Sequence, residues 1–373
     1  MRTRTLVQCG AVTLGIIGVL TVAPAGVAAQ TRAEIADAAR KASPRTAEEA
    51  ATFFEAEVAR KTAAAIARVY DPTRPPAPVK KTPWGHPDLR GYWLSLSYTP
   101  LERPAEFADK ALLTPQEAIE FFKKAVVEDA AVDPATVHYD WKEFGMDTWQ
   151  SPVRPNRRSG LIIDPANGKL PPLSPEGQRR RAAAQAAGKG VDPQTAVSTL
   201  NNFYTRCITG NQGPPRLPFN HDSESQIFQT PNYVLLITQS NNDVRIIPLD
   251  GRPHVPQEVR PWLGDSRGRW EGNTLVVETT NFHPDRLWRG ATGNMNLIER
   301  FTRVDDNTIS YQITVSDPAQ WAQPWTAEIP WPRIEPPLFE FACHEQNYGV
   351  INVVTGAQIR ATEGKPAARD GDN

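Results

Sequence analysis

The chain has 373 residues, 40% hydrophobic and 22% charged, and its 41 Lys plus Arg nearly cancel 42 Asp plus Glu to leave a formal charge of -1. That is the composition of a globular protein, and the near-neutral balance argues against an extended basic face for nucleic acid or an acidic calcium-loading surface. Pro at 35 and Trp at 10 are both high, and because Pro interrupts helices and central strands, the main body reads as loop-rich and β-based.

Arg2 and Arg4, the apolar run Ala11 to Val22 and the small-residue site Val27-Ala28-Ala29 before Gln30 predict a secretory signal cut after Ala29, and with it a periplasmic or secreted destination. The run is shorter than the roughly 20 residues a membrane span requires. No later stretch is apolar enough to span a bilayer, so no integral membrane segment is expected after cleavage. Cys9 leaves with the signal, and Cys207 and Cys343 remain. In an oxidising compartment these two most simply form one disulfide, adding on the order of 4 kcal/mol by loop-closure arithmetic. The competing reading is two buried free thiols.

From Arg32 to Tyr70 the chain is Ala-rich, with Ile35, Ala39, Phe53, Phe54, Val58, Ile66 and Val69 at helical spacing and Pro44 dividing them. This predicts a short helix and a longer one. Asp71-Pro-Thr-Arg-Pro-Pro-Ala-Pro then reads as an extended polyproline-like connection. The expected divisions are a signal over 1–29, a helical and Pro-rich segment over 30–81, a β domain over 82–362 and a disordered tail over 363–373. Within the β domain, Leu113-Thr114-Pro115-Gln116-Glu117 sets Thr as N-cap, Pro in the first turn and Glu three residues past the cap, ahead of Ile119, Phe122 and Val126. That is a capping box opening a third helix. Gln178 to Lys189 reads as a solvated helix or mobile insertion, its basic run a wet face.

After Ser225 the periodicity changes to 2: Ser225–Thr230, Tyr233–Gln239, Val244–Leu249, Thr274–Thr280, Leu297–Val304, Thr308–Val315, Trp325–Ile329 and Leu338–Cys343. Asn241-Asn242-Asp243, Glu271-Gly272-Asn273 and Asp305-Asp306-Asn307 supply hairpin chemistry between them. With Gly91-Tyr-Trp-Leu-Ser-Leu and the run from Leu161, about ten strands are available, in an antiparallel meander. So many sequential strands without βαβ spacing predict a closed or nearly closed, lipocalin-like barrel with helices outside, and a β-sandwich as the alternative.

The strings Trp84-Gly-His-Pro-Asp-Leu-Arg-Gly-Tyr-Trp93, Trp262-Leu-Gly-Asp-Ser-Arg-Gly-Arg-Trp-Glu-Gly272 and Ala342-Cys-His-Glu-Gln-Asn-Tyr348 resemble the motifs WGxPDLxGxW, WLGDSRGRWEG and ACHExNY of a large family of secreted bacterial proteins. Further matching strings, among them Asp250-Gly-Arg-Pro-His254 and Glu299-Arg300-Phe301, extend the resemblance over most of the chain. It implies common descent and carries no catalytic assignment. The Gly-x-Trp that opens a strand is also similar to the start of lipocalin-type barrels, an analogy of fold alone.

The densest polar string is Gly264 to Gly272. On a strand, Asp265, Arg267, Arg269 and Glu271 share one face and Ser266, Gly268 and Trp270 the other. Two readings follow. Either the stripe faces a lumen, where Arg267 and Arg269 bind an anionic or carbonyl-bearing substrate and Asp265 carries a proton, or it is an edge-strand salt-bridge ladder with Trp270 in the core. His344 and Glu345, at the end of an apolar strand, form a second acid/base candidate, set against a structural histidine. His254 lies on a loop after a turn, where binding groups concentrate, and His221 and His283 are placed similarly beside acidic residues. Arg245 and Glu299 each interrupt an apolar strand, so each must be paired or line a cavity. An Arg245–Glu299 ion pair is the structural reading, and substrate contact the functional one.

Six histidines without His-x-His or His-x-x-x-His spacing predict no preformed metal site. The chain carries no Gly-x-Ser-x-Gly elbow, Walker loop, dinucleotide fingerprint or haem-attachment motif, so no cofactor is expected. The leading expectation is a cofactor-independent enzyme, a lyase, isomerase or hydrolase, using His344, Glu345 and Asp265 on a small, partly apolar molecule bound by Arg267, Arg269, Arg245, Glu299 and His254. A non-catalytic lipocalin-like binding protein is the alternative, and an envelope scaffold using the N-terminal helices a third. No nucleic-acid partner is expected, and the residues leave the oligomeric state open.

Overall fold

The computed structural model describes residues 59, 63–130, 153–188, 205–209, 213–219, 222–285, 288–335, 338–345 and 347–363. The signal, the helices expected before residue 59, His221 and the tail beyond Glu363 lie outside these residues.

Ten strands form one antiparallel sheet: β1 Gly91–Leu94, β2 Ile162–Asp164, β3 Glu224–Gln229, β4 Tyr233–Thr238, β5 Val244–Pro248, β6 Asp265–Glu271, β7 Thr274–Thr280, β8 Asn296–Asp305, β9 Thr308–Ser316 and β10 Trp325–Ile334. Their order is β5-β4-β3-β1-β10-β9-β8-β7-β6, with β2 added beside β10. Two meanders, β3 to β5 and β6 to β10, are thus joined by β1, which pairs with both β3 and β10. The hairpin turns fall where their chemistry predicts. Asn241 and Asn242 between β4 and β5 adopt φ of 56° and 50°, a region Asn tolerates better than most residues, and Gly272 adopts 59° between β6 and β7.

The sheet is not closed into a barrel. No ladder joins β5 to β6, the two strands at the ends of the order. Side chains span the gap instead: Ile247 and Leu249 lie over Gly268 of β6, and Arg245 of β5 donates to Ser266 Oγ of β6 at 3.1 Å. The interior is filled by alternating residues of the long strands, among them Trp93, Phe301, Tyr311, Trp325 and Trp331, each at most 2% exposed. Tyr311 and Trp331 lie 4.4 Å apart between ring centroids, and Phe301 and Trp331 meet edge to face at 5.7 Å. Large aromatic side chains interdigitated in this way leave a packed core between the strands.

The longer helices among the described residues are α1 Pro115–Ala130, α2 Pro175–Gly188 and α3 Tyr348–Thr362. The expected capping box opens α1, where the Glu117 amide donates to Thr114 Oγ1 (3.2 Å) and the Thr114 amide to Glu117 Oε2 (2.8 Å). Thr114→Ala removes one arm of this box and is expected to cost about 1 kcal/mol in urea unfolding. Helix α2 is largely solvated, as its composition predicts, and buries Gly177. Its amide is capped by Ser174 Oγ at 3.0 Å.

Two elements differ from expectation. The strand expected over Leu338–Cys343 is irregular backbone, fastened to the β4–β5 turn by the Phe341 amide on Asn242 Oδ1 at 2.9 Å. Helix α3 follows, on a segment whose β-branched Val350, Ile351, Val353, Val354 and Thr355 weaken the local helix signal. Cys207 and Cys343 form the expected disulfide. No helix among the described residues is long and apolar enough to cross a membrane.

Candidate functional site

The gap between β5 and β6 opens at one end into a cleft of about 380 Å³. Its lining mixes apolar residues, among them Ile208, Ile246, Trp262 and Leu263, with polar ones, among them Asp243, Arg245, Asp265 and Ser266. The lining comes from three parts of the chain. Ile208 adjoins the disulfide, Ile246 belongs to β5, and Trp262 to Ser266 lead into β6.

Local geometry places Asp265. Gly264 adopts φ of 72°, and a Cβ there would lie 2.7 Å from Thr280 O and 2.8 Å from Thr279 Cγ2, so only glycine lets the chain turn into β6 against β7. Asp265 is the first residue past this turn. Its Oδ2 meets His254 Nδ1 at 2.7 Å and accepts the Val255 amide at 3.2 Å, and its Oδ1 accepts from Arg267 at 2.6 Å. Asn281 holds the adjoining loop by donating from Nδ2 to Val255 O (3.0 Å) and Pro256 O (3.2 Å). A carboxylate surrounded by donors fixes the histidine tautomer: Nδ1 carries hydrogen toward Asp265, and Nε2 is left as the basic nitrogen.

A buried network joins the cleft through Arg245 and Ser266. Arg245 donates to both Glu299 oxygens, at 3.0 Å and 2.5 Å, and also to Ser266 and Thr279. Tyr311 donates to Glu299 Oε1 at 2.7 Å and accepts the Arg216 amide at 3.1 Å. Burial, reinforced by the Glu299 charge, raises the Tyr311 pKa well above its ordinary value, so the phenol stays protonated and donating. Burial lowers the Arg216 guanidinium to about 10, which leaves it cationic at neutral pH.

The expected site residues therefore divide. Arg245 and Asp265 line the cleft; Glu299 is bound to Arg245, and His254 and Arg267 are bound to Asp265, all three outside the cleft lining itself. Arg267 spends its hydrogens on Asp265, Pro253 O at 3.0 Å and Ser266 O at 2.8 Å, so it braces the histidine loop. Of the two readings of the 265–271 stripe, the lumen one does not hold: its Ser266 and Gly268 face is the buried one, and the interior is already filled by aromatic rings with no space for four charges. Arg269 and Glu271 lie exposed in a ladder with Arg300, which contacts Glu271 Oε2 at 2.7 Å. His344 and Glu345 are exposed on the turn before α3, outside the cleft lining. They lie on no strand. His283 stacks on Trp262 at 3.9 Å between ring centroids, bracing that part of the lining.

One buried acid escaped the sequence reasoning. Glu328 of β10, 3% exposed, lies on the outer face of the sheet, where it accepts from Tyr70 (2.6 Å) and Ser310 (3.1 Å) and pairs with Arg158. The signal that singled out Glu299, a charge inside an apolar strand, applies equally to Trp325-Thr-Ala-Glu-Ile-Pro-Trp331. Its partners show that it fastens the segment ending at Tyr70 to the sheet.

No group of three or more His, Cys, Asp and Glu side chains among the described residues is arranged to hold a metal ion. Comparison with known proteins finds no matching family model, curated protein or solved structure.

Proposed function

We propose that the protein is a secreted or periplasmic, cofactor-independent enzyme that acts on a small, partly apolar molecule in the β5–β6 cleft, with His254 as general base. The observation that carries this reading is the 2.7 Å contact of His254 Nδ1 with Asp265, a carboxylate in the lining of a cleft that mixes apolar and polar side chains. Asp265 holds the ring and stabilises the imidazolium that forms when Nε2 takes a proton from substrate or from a water attacking it. This is proton transfer of the lyase, isomerase or hydrolase class. Asp265 acts as a positioning residue, and His254 takes the role that the sequence had suggested for His344. The secreted location rests on the leader-like start and the disulfide, and descent from the secreted bacterial family on the shared motifs.

The test is a turnover screen of the purified chain against small esters, lactones and carbonyl compounds, read by product formation and by deuterium uptake from heavy water. His254→Gln is expected to lower kcat by about 10²–10⁴-fold while the melting temperature holds. Unchanged turnover in that variant removes His254 from the mechanism. Saturable binding of the same compounds without turnover favours the carrier reading.

A further inference from the structure

The motif Trp84 to Trp93 has no part in the β5–β6 cleft, yet it lines a second cleft, of about 580 Å³, built from Lys80, Asp88, Arg90 and Gly91 with Arg303, Asp306, Asn307 and Arg333. Four cations face two carboxylates there, on a protein whose overall charge is -1. The carboxylates are already engaged. Asp88 receives Arg90 through both oxygens, at 2.8 Å and 2.7 Å, and Asp306 lies 3.4 Å from Arg303.

Arg303 forms the floor. It is 4% exposed and donates chiefly to the carbonyls of Asp88, Asp305 and Asp306, neutral oxygens, its one carboxylate contact being the longer 3.4 Å approach to the exposed Asp306. Arg333 is held differently. Its guanidinium carbon lies 5.6 Å from the Trp93 ring centroid, with that of Arg303 at 5.9 Å from the same ring. Gly91 makes room for it. A Cβ at Gly91 would come within 3.1 Å of Arg333 Nη2, and the φ of 134° there is one that glycine readily adopts. Arg333 has no carboxylate partner among the described residues, and the charge of Arg333 contributes to the lowering of the Arg303 pKa that burial begins. Two guanidiniums gathered on one indole repel each other, and an oxyanion between them relieves that repulsion.

We infer that this cleft is an oxyanion-binding site, taking a phosphate, sulfate or carboxylate group of a ligand through the planar fork of Arg333 with support from Lys80 and the Arg303 charge. The Gly-x-Trp spacing of Gly91 and Trp93 serves this site by clearing the space for Arg333 and providing the ring on which it lies. The inference is independent of any reaction in the β5–β6 cleft.

The test is titration of the full secreted chain at low ionic strength with inorganic phosphate, sulfate and acetate in turn, followed through the Arg side-chain and Gly91 amide resonances. Saturable shifts of these resonances are expected, with phosphate or sulfate tighter if the natural group is a dianion and acetate comparable if it is a carboxylate. Arg333→Gln should weaken binding by about tenfold or more, and Arg333→Lys, which keeps the charge and loses the fork, should recover only part of it. Both variants change an exposed side chain, and an unaltered melting temperature separates loss of binding from loss of fold. No saturable shift with any of the three anions, or equal binding by Arg333→Gln, overturns the site.

Discussion

Glu299→Gln is expected to destabilise the protein by about 3–5 kcal/mol, the range for breaking a buried ion pair by removing one partner. The Glu299 side chain is fully buried and that of Arg245 is 4% exposed. The substitution keeps the shape of Glu299 and removes only its charge. Arg245 then sits as a cation in the interior with only neutral partners, the Ser266 and Thr279 hydroxyls and the amide oxygen of the new side chain, and Tyr311 loses an ionised acceptor for its hydroxyl. Urea unfolding followed by tryptophan fluorescence measures the cost. The double change Arg245→Met with Glu299→Gln should recover much of it, because the unpaired charge is gone and the methionine fills similar volume. A single-variant cost under about 1 kcal/mol would show that Arg245 finds water or another partner at the β5–β6 gap. The buried cation would then owe its stability to the opening of the sheet.

Removing the disulfide ranks second. Cys207 and Cys343 are 136 residues apart, and the loop they close contains every strand from β3 to β10. Loop-closure entropy assigns this link on the order of 4 kcal/mol. Its local role adds to that. Ile208 and Thr209, immediately after Cys207, line the β5–β6 cleft, and Thr209 holds Asp243 of the same cleft through a 2.5 Å hydrogen bond. The expected result for Cys207→Ser with Cys343→Ser is a fall of about 4 kcal/mol in unfolding free energy. Reductant should produce the same fall in the native protein and none in the variant. A loss confined to ligand binding, with the unfolding midpoint unchanged, would assign the bridge to the cleft alone.

Most strands from β3 to β10 were legible in the sequence because period-2 alternation and Asn, Asp and Gly turns are local properties of the chain. The segment from Leu338 to Thr362 was not. Its apolar run alternates like a strand at 338–343, but no neighbouring strand offers it a ladder. The β-branched residues of α3 mask a helix that becomes stable only when Val353 finds a buried place. The candidate site was legible in part. Arg245 and Glu299 stood out as charges in apolar strands, whereas Glu328 went unread although it obeys the same rule. His254 ranked below His344 because its proximity to Asp265, eleven positions along the chain, is visible only once the chain is folded.

The sequence by itself determined the β class, most of the strands and their turns and the capping of α1, and it singled out Cys207 and Cys343 as the expected bridge. Tertiary structure decided which face of the 265–271 stripe points inward and which charges meet. It also left the sheet unclosed between β5 and β6. Alternation states which residues share a face of a strand, but the choice of inner face follows from which side can exclude water against the other strands. Here the small residues Ser266 and Gly268 leave room for side chains of β5, while Asp265, Arg267, Arg269 and Glu271 remain on the outer side. Closure likewise depends on the twist and register summed over all the strands, a sum that no single segment of the chain contains.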